Sequence, residues 1–119
     1  MAIVWELAGI HPREDPRLSV TARFFRILGD PTRLRILELL LDGEKTVTEL
    51  VEAIGSAQGR VSSHLACLRW CGLIDTRRQG KYIFYQATNE RVRQLLPLAQ
   101  AMIAENAEAV WSCTRVDTT

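Results

Sequence analysis

From residue 15 onward the apolar positions of this chain recur at helical spacing, and each run has its own start and stop signal. Asp15-Pro16 pairs an N-cap residue with a proline at the first helical position. Val20, Phe24, Ile27 and Leu28 then form the stripe of a helix that Gly29 stops. Asp30-Pro31 repeats the start signal for a second helix reaching about Leu41, with Leu34, Leu37, Leu40 and Leu41 apolar and Gly43 beyond its end. Thr46-Val47-Thr48-Glu49 is a capping box, in which the Thr and Glu side chains satisfy each other's orphan amides. It opens a short third helix to Ile54. Gly55-Ser56 turns the chain into a fourth, Ser56 serving as N-cap, with Val61, Leu65 and Leu68 facing a core and Gly72 just past its end. The period then drops to two: Ile83, Tyr85 and Ala87 alternate with Tyr82, Phe84 and Gln86, and Gln79-Gly80 joins this run to Leu73–Arg78. Asn89 caps a last helix to about Trp111, which Pro97 is expected to kink or restart.

A short helix, a turn containing glycine and a second helix with polar front residues make a helix-turn-helix. A two-stranded hairpin directly after it makes a winged helix-turn-helix, so the fold expected is mainly α with a small β-hairpin. The last helix carries Val92, Leu95, Leu96, Ala99, Met102, Ile103, Ala107 and Val110. That set is too wide for one contact seam. It points to a homodimer joined through terminal helices, the alternative being that the helix covers its own domain's core. Residues 1–14 read as an irregular N-terminal arm, 15–111 as one winged helix-turn-helix domain including the dimerisation helix, and 112–119 as a tail.

Length and composition fit a single soluble domain of 119 residues. No apolar run approaches the ~20 residues of a membrane span, and the first residues do not read as a signal peptide, so a cytoplasmic protein with no membrane partner is expected. The net charge of +1 is unremarkable until it is divided along the chain. Residues 57–86 hold Arg60, Arg69, Arg77, Arg78 and Lys81 against Asp75 alone, a local charge of +4, while the remainder sums to −3. Phosphate contacts need such a segment, although a solvated basic face has the same composition. Gln58, Arg60, Ser62, Ser63 and His64 on the front turns of the fourth helix, and Arg77, Arg78 and Lys81 at the wing tip, are the candidate contacts to double-stranded operator DNA. His64 sits near enough to Cys67 in sequence to be weighed as a metal ligand too.

Three cysteines remain. Cys67 and Cys71 lie four apart and so share a helical face; Cys113 lies in the tail. On spacing alone the pair reads as small packing residues or as ligands. Two thiols at this spacing can grip one ion across a turn, and soft thiolates select Cd(II), Pb(II), Hg(II) or Cu(I). No cysteine has a His-and-carboxylate set around it and there is no glycine-rich phosphate loop, which argues against an enzyme or an organic cofactor.

Asp30-Pro31-Thr32-Arg33-Leu34-Arg35-Ile36-Leu37, Val61-Ser62-Ser63-His64-Leu65-Ala66-Cys67-Leu68, Cys71-Gly72-Leu73-Ile74 and Gly80-Lys81-Tyr82-Ile83-Phe84-Tyr85 resemble, in that order, the ArsR/SmtB family of bacterial repressors, over roughly residues 18–111. The resemblance implies a dimeric repressor that binds operator DNA when metal-free and releases it when metal binds. Within the family, the Cys67-x-x-x-Cys71 pair is similar to the cadmium- and lead-sensing CmtR type. That type adds a third cysteine from the C-terminal region of the other subunit, a role for which Cys113 is the candidate. The Cys-x-Cys site of other members has no counterpart, since Thr46, Val47, Thr48 and Glu49 stand there. Nor has the last-helix zinc site, since no histidine follows His64. Mercury response is compatible with the same thiols. The expected effector is therefore a soft ion, Cd(II), Pb(II) or Hg(II), and the alternative is a thiol-redox-responsive repressor of the same fold.

Overall fold

The computed structural model describes residues 15–113; the arm readings for residues 1–14 and the last tail residues lie outside that range. In chain order the elements are α1 (Pro16–Leu28), α2 (Pro31–Leu41), α3 (Val47–Ile54), α4 (Gln58–Trp70), β1 (Ile74–Gln79), β2 (Tyr82–Ala87), α5 (Glu90–Ile103) and α6 (Ala107–Ser112). The start signals act as expected. The Asp15 carboxylate accepts the Arg17 amide, and Asp30 accepts those of Thr32 and Arg33. Both bonds of the Thr46/Glu49 capping box are made.

Helix α4 begins one residue later than expected. Ala57, not Ser56, is its N-cap, and no side chain caps it. Its far end is a Schellman turn: Gly72 has φ +78°, and the Leu73 amide donates to the Leu68 carbonyl at 3.0 Å. Leu68 and Leu73, both buried, close that turn from the apolar side. Glycine is needed at 72 because an L side chain is strained at that φ.

β1 and β2 pair antiparallel, Gln79 opposite Tyr82, across a two-residue turn of Gly80 and Lys81. Only Gly80 of the pair has positive φ, at 61°, as a type II′ hairpin turn requires. Lys45 adds a short bridge to Tyr85 through two backbone hydrogen bonds of 3.0 and 2.7 Å. The wing is thereby fastened to the residue just before the N-cap of α3.

The core lies among α2, α3, α4 and the base of the hairpin. Ile36, Leu37, Leu40, Leu50, Val61, Leu65, Leu68 and Ile74 are completely or almost completely buried. Burying a side chain of this size contributes about 1.5–3 kcal/mol, so α4 is held rigidly by one face while the opposite face stays in solvent. From α5, Val92 and Leu96 are buried in this core and the partly buried Leu95 packs against it.

The C-terminal segment differs from expectation. Helix α5 runs unbroken through Pro97 to Ile103, and the restart comes at Ala104–Asn106. Asn106, a poor helix-interior residue, is the N-cap of the new start, although its side chain makes no capping hydrogen bond. No residue of α6 is buried, and Leu98, Met102, Ile103, Val110 and Trp111 all stand exposed.

Candidate nucleic-acid interface and thiol pair

Helix α4 presents three stripes. Val61, Leu65 and Leu68 face the core. Gln58, Ser62, Ser63, Ala66 and Trp70 face solvent, Trp70 at 92% of its full exposure. Arg60, His64, Cys67 and Cys71, spaced four, three and four residues apart, form the third stripe, between the other two.

The solvent stripe and the wing bound an open groove of about 530 Å³, lined by Ser62, Leu65, Ala66, Arg69, Trp70 and Tyr85. The groove has the makings of a nucleic-acid surface: a rigid helix with polar front residues beside a basic hairpin. Of the front residues Ser62 lines the groove itself, and Gln58, Arg60 and Ser63 are exposed on the same helix outside it. Ser63 Oγ donates to the Gly59 carbonyl at 3.0 Å.

Two residues named from the sequence sit differently from the rest. His64 turns toward α2, with only 12% of its side chain exposed. Its Nδ1 accepts from Arg33 Nε at 3.0 Å, and its Nε2 lies 4.0 Å from Asp30 Oδ1. Arg77 is gripped in a two-point fork by Glu44, Nε donating to Oε2 at 2.8 Å and Nη2 to Oε1. Its guanidinium also covers the Phe84 ring, 4.7 Å from the centroid. The Arg77 hydrogen bond holds the Glu44 carboxyl below the usual carboxylate range. Arg78 Nε reaches the Gly80 carbonyl at 3.3 Å, and Lys81 Nζ lies 5.4 Å from the Tyr82 ring, both at the exposed tip.

The thiols are placed by the end of α4. Cys67 is half-buried; Cys71 is the exposed C-cap residue that the Schellman turn fixes. Partial shielding from water pushes the Cys71 thiol up, the neighbouring Cys67 sulfur pushes it further by charge and by a shared hydrogen bond, and the Arg33 guanidinium pulls it back. Four residues apart at the end of one helix, the two sulfurs share a face. Cys113 is the exposed C-cap of α6. Among the described residues, no three His, Cys, Asp or Glu side chains gather into a metal-holding group within the chain. The donor set that one chain offers is a pair of soft sulfurs, which suits a soft ion of low coordination number and leaves room for a further ligand from outside the chain.

Arg33 and Glu44 are the participants that sequence reading missed. They contact their partners from 31 and 33 residues away; Glu44 lies in no motif, and the motif that contains Arg33 does not show which residue its side chain meets.

Fold and surface together define a winged helix-turn-helix DNA-binding regulator. Comparison with known proteins is specific on this point. Residues 30–76 match the family of bacterial regulatory proteins of the arsR type. Over 98 residues the chain is 50% identical to a protein of Streptomyces lividans described as a probable mercury resistance operon repressor, covering 82% of this chain and 78% of that one. It is 40% identical to the transcriptional regulator CmtR of Mycobacterium bovis over 93 residues, 77% of this chain and 79% of that one. The solved homodimeric winged helix-turn-helix DNA-binding domain of another M. bovis protein superposes with a TM-score of 0.71 at 33% identity, covering 86% of this chain and 94% of that one. The chain belongs to the arsR family. It is a DNA-binding transcriptional regulator and not an enzyme, and among the described residues no helix is long and apolar enough to cross a membrane.

Proposed function

We propose that the protein is a cytoplasmic, homodimeric repressor that binds operator DNA when metal-free and is released by a soft heavy-metal ion held by cysteine thiolates. The observation that supports this most is the placement of two thiols, Cys67 and Cys71, on one stripe of the same helix that carries Ser62, Ala66 and Arg69 into the groove beside the wing. Cys67 and Cys71 would hold the ion. Two sulfurs satisfy Hg(II), whereas Cd(II) and Pb(II) ask for a third, the role proposed for Cys113 of a second copy. The name of one relative, a probable mercury resistance operon repressor, supports the first reading, and the likeness of the Cys67/Cys71 pair to the CmtR type supports the second. When bound, the ion supplies crosslinking: it ties the C-terminal half of α4 to whatever donates the further ligand.

Gln58, Arg60, Ser62 and Ser63 are placed to meet base edges and phosphates, and Arg78 and Lys81 to follow the backbone of the duplex. The uncapped first turn of α4 adds amide donors that a phosphate can satisfy. Dimerisation is supported by the apolar side chains left in solvent on α1 (Leu18 and Phe25), α5 (Leu98, Met102 and Ile103) and α6 (Val110 and Trp111). It sets two copies of α4 about one helical turn of DNA apart, and any change in their spacing weakens both half-site contacts together.

Single Cys67→Ser and Cys71→Ser variants test this reading. Each is expected to bind DNA as the wild type does and to remain bound when Cd(II), Pb(II) or Hg(II) is added under reducing conditions. Release from both variants at wild-type metal concentrations would sink it. The one rival with an observation behind it is redox sensing, since two free thiols share a helical face within a single chain; a peroxide converting them to a disulfide is the corresponding signal. Release by peroxide, with no stoichiometric uptake of a soft ion, would favour that rival.

A further inference from the structure

The group that joins the thiol stripe to the rest of the domain is Arg33. Its backbone amide and that of Thr32 are held by Asp30 Oδ1 at 3.2 and 2.8 Å, so its place at the start of α2 is fixed. Its side chain reaches in two directions. Nη1 donates to the Ile27 carbonyl in the last turn of α1 at 3.2 Å, and Nε donates to His64 Nδ1 on α4 at 3.0 Å. One guanidinium therefore pins three helices. Accepting at Nδ1 puts the imidazole proton on Nε2, toward Asp30, and the ring is too enclosed to serve DNA at the same time. His64 also shares its helical stripe with Cys67 and Cys71, three and seven residues on. The Arg33 charge is felt at Cys71. A rearrangement at the thiols thus borders the same joint that sets the tilt of the DNA-facing turns.

We propose that Arg33 is a positioning residue: its bond to His64 is a strut that seats the recognition helix on α2, and this strut is the joint through which occupation of the thiol pair changes DNA affinity. The second half rests on the metal-responsive reading above; the first does not.

The test uses the full chain, a fluorescent duplex bearing an operator selected from random sequence, and Cd(II) as the probe. DNA affinity is measured with and without Cd(II) for the wild type, Arg33→Gln, His64→Ala, His64→Asn and the Arg33→Gln/His64→Ala double variant. Sulfur-to-Cd(II) absorption is followed in each, and thermal unfolding confirms that each is folded. In the wild type, Cd(II) is expected to weaken DNA binding by at least about tenfold, a common size for allosteric coupling. In Arg33→Gln and His64→Ala that ratio falls toward one, although the absorption saturates at the wild-type stoichiometry. The double variant is no worse than either single variant, as members of one linkage should behave. His64→Asn keeps an acceptor where Nδ1 was and retains most of the ratio, a rescue that a merely space-filling role for His64 does not predict. A wild-type ratio in Arg33→Gln overturns the joint. A wild type that ignores Cd(II) instead overturns the metal reading. The strut is then judged on metal-free DNA affinity, where equal and non-additive losses in the two single variants uphold it and additive losses refute it.

Discussion

Removing Glu44 should make DNA binding tighter and more sensitive to salt. Glu44 occupies the Nε/Nη2 edge of the Arg77 guanidinium, and the Gln79 side chain takes a third hydrogen bond from Nη1 at 2.8 Å. In this arrangement a wing arginine that sequence reading assigns to phosphate is spoken for by a carboxylate of its own chain. Glu44→Ala releases it. Each additional phosphate neutralised steepens the dependence of log K on log salt by about 0.9. Two wings per dimer steepen it by about 1.8, which makes the loss of affinity between 50 and 200 mM salt about 12-fold larger than in the wild type. The assay is fluorescence anisotropy of an operator duplex at four or more salt concentrations, for the wild type, Glu44→Ala, Arg77→Ala and the double variant. Arg77→Ala alone is expected to leave the wild-type slope nearly unchanged, and the double variant to return to it. A slope that stays steep in the double variant would mean that loss of the Glu44 charge, not release of Arg77, is responsible. An unchanged slope in Glu44→Ala would mean that Arg77 already exchanges freely between Glu44 and phosphate. Either result refutes the reasoning.

Three further outcomes are expected. Leu65→Ala, at a completely packed site on the core stripe of α4, should cost about 2–5 kcal/mol in chemical unfolding, whereas Leu98→Ala, on the exposed side of α5, should change the dimerisation constant more than protomer stability. Asp30→Ala removes the cap of α2 and should cost about 1 kcal/mol; burial acts to raise the Asp30 pKa, but the hydrogen bonds from the Arg33 and Thr32 amides, helped by the Arg33 charge, outweigh it and lower it. A carboxylate whose folded pKa is depressed stabilises above its unfolded pKa and loses that contribution as pH falls through the folded one, so the difference between wild type and Asp30→Ala should shrink on acidification below pH 4 or so. Metal affinity should rise with pH across the thiol range, because the Cys71 proton is held more firmly than usual and must leave before sulfur can bind; competition titrations with a chelator at several pH values should show protons released with each ion, and a pH-independent affinity would contradict thiolate ligation.

Where the chain's local chemistry decides structure, the sequence could be read closely. The two Asp-Pro starts, the Thr46/Glu49 box and the Gly72 stop each satisfy or free specific backbone groups, and the helices begin and end there within a residue. The one-residue error at Ser56 arose because a good capping side chain stood next to the true cap. The break at Ala104–Asn106 was missed because Pro97 looked the stronger interruption, yet α5 remains continuous through it. The thiol pair was legible because residues four apart on a helix must be neighbours. The surroundings of that pair were not. Whether His64 looks toward DNA or toward α2 depends on the rotation of α4 about its own axis, which the core residues set by packing. Its bond to Arg33 and the fork between Glu44 and Arg77 join residues distant in sequence, with no repeat to reveal them. The groove beside the wing likewise depends on where tertiary contacts seat the hairpin, the Lys45–Tyr85 bridge among them.

The most direct test of the account is an anaerobic ultraviolet titration of the reduced protein with Cd(II), Pb(II) and Hg(II), with release of operator DNA followed in the same samples. The account predicts sulfur-to-metal absorption that saturates at one ion per subunit, with DNA leaving in step. It also predicts that both signals disappear in a Cys67→Ser/Cys71→Ser variant. Absorption that saturates while the DNA stays bound, or DNA release that survives loss of both thiols, would contradict it.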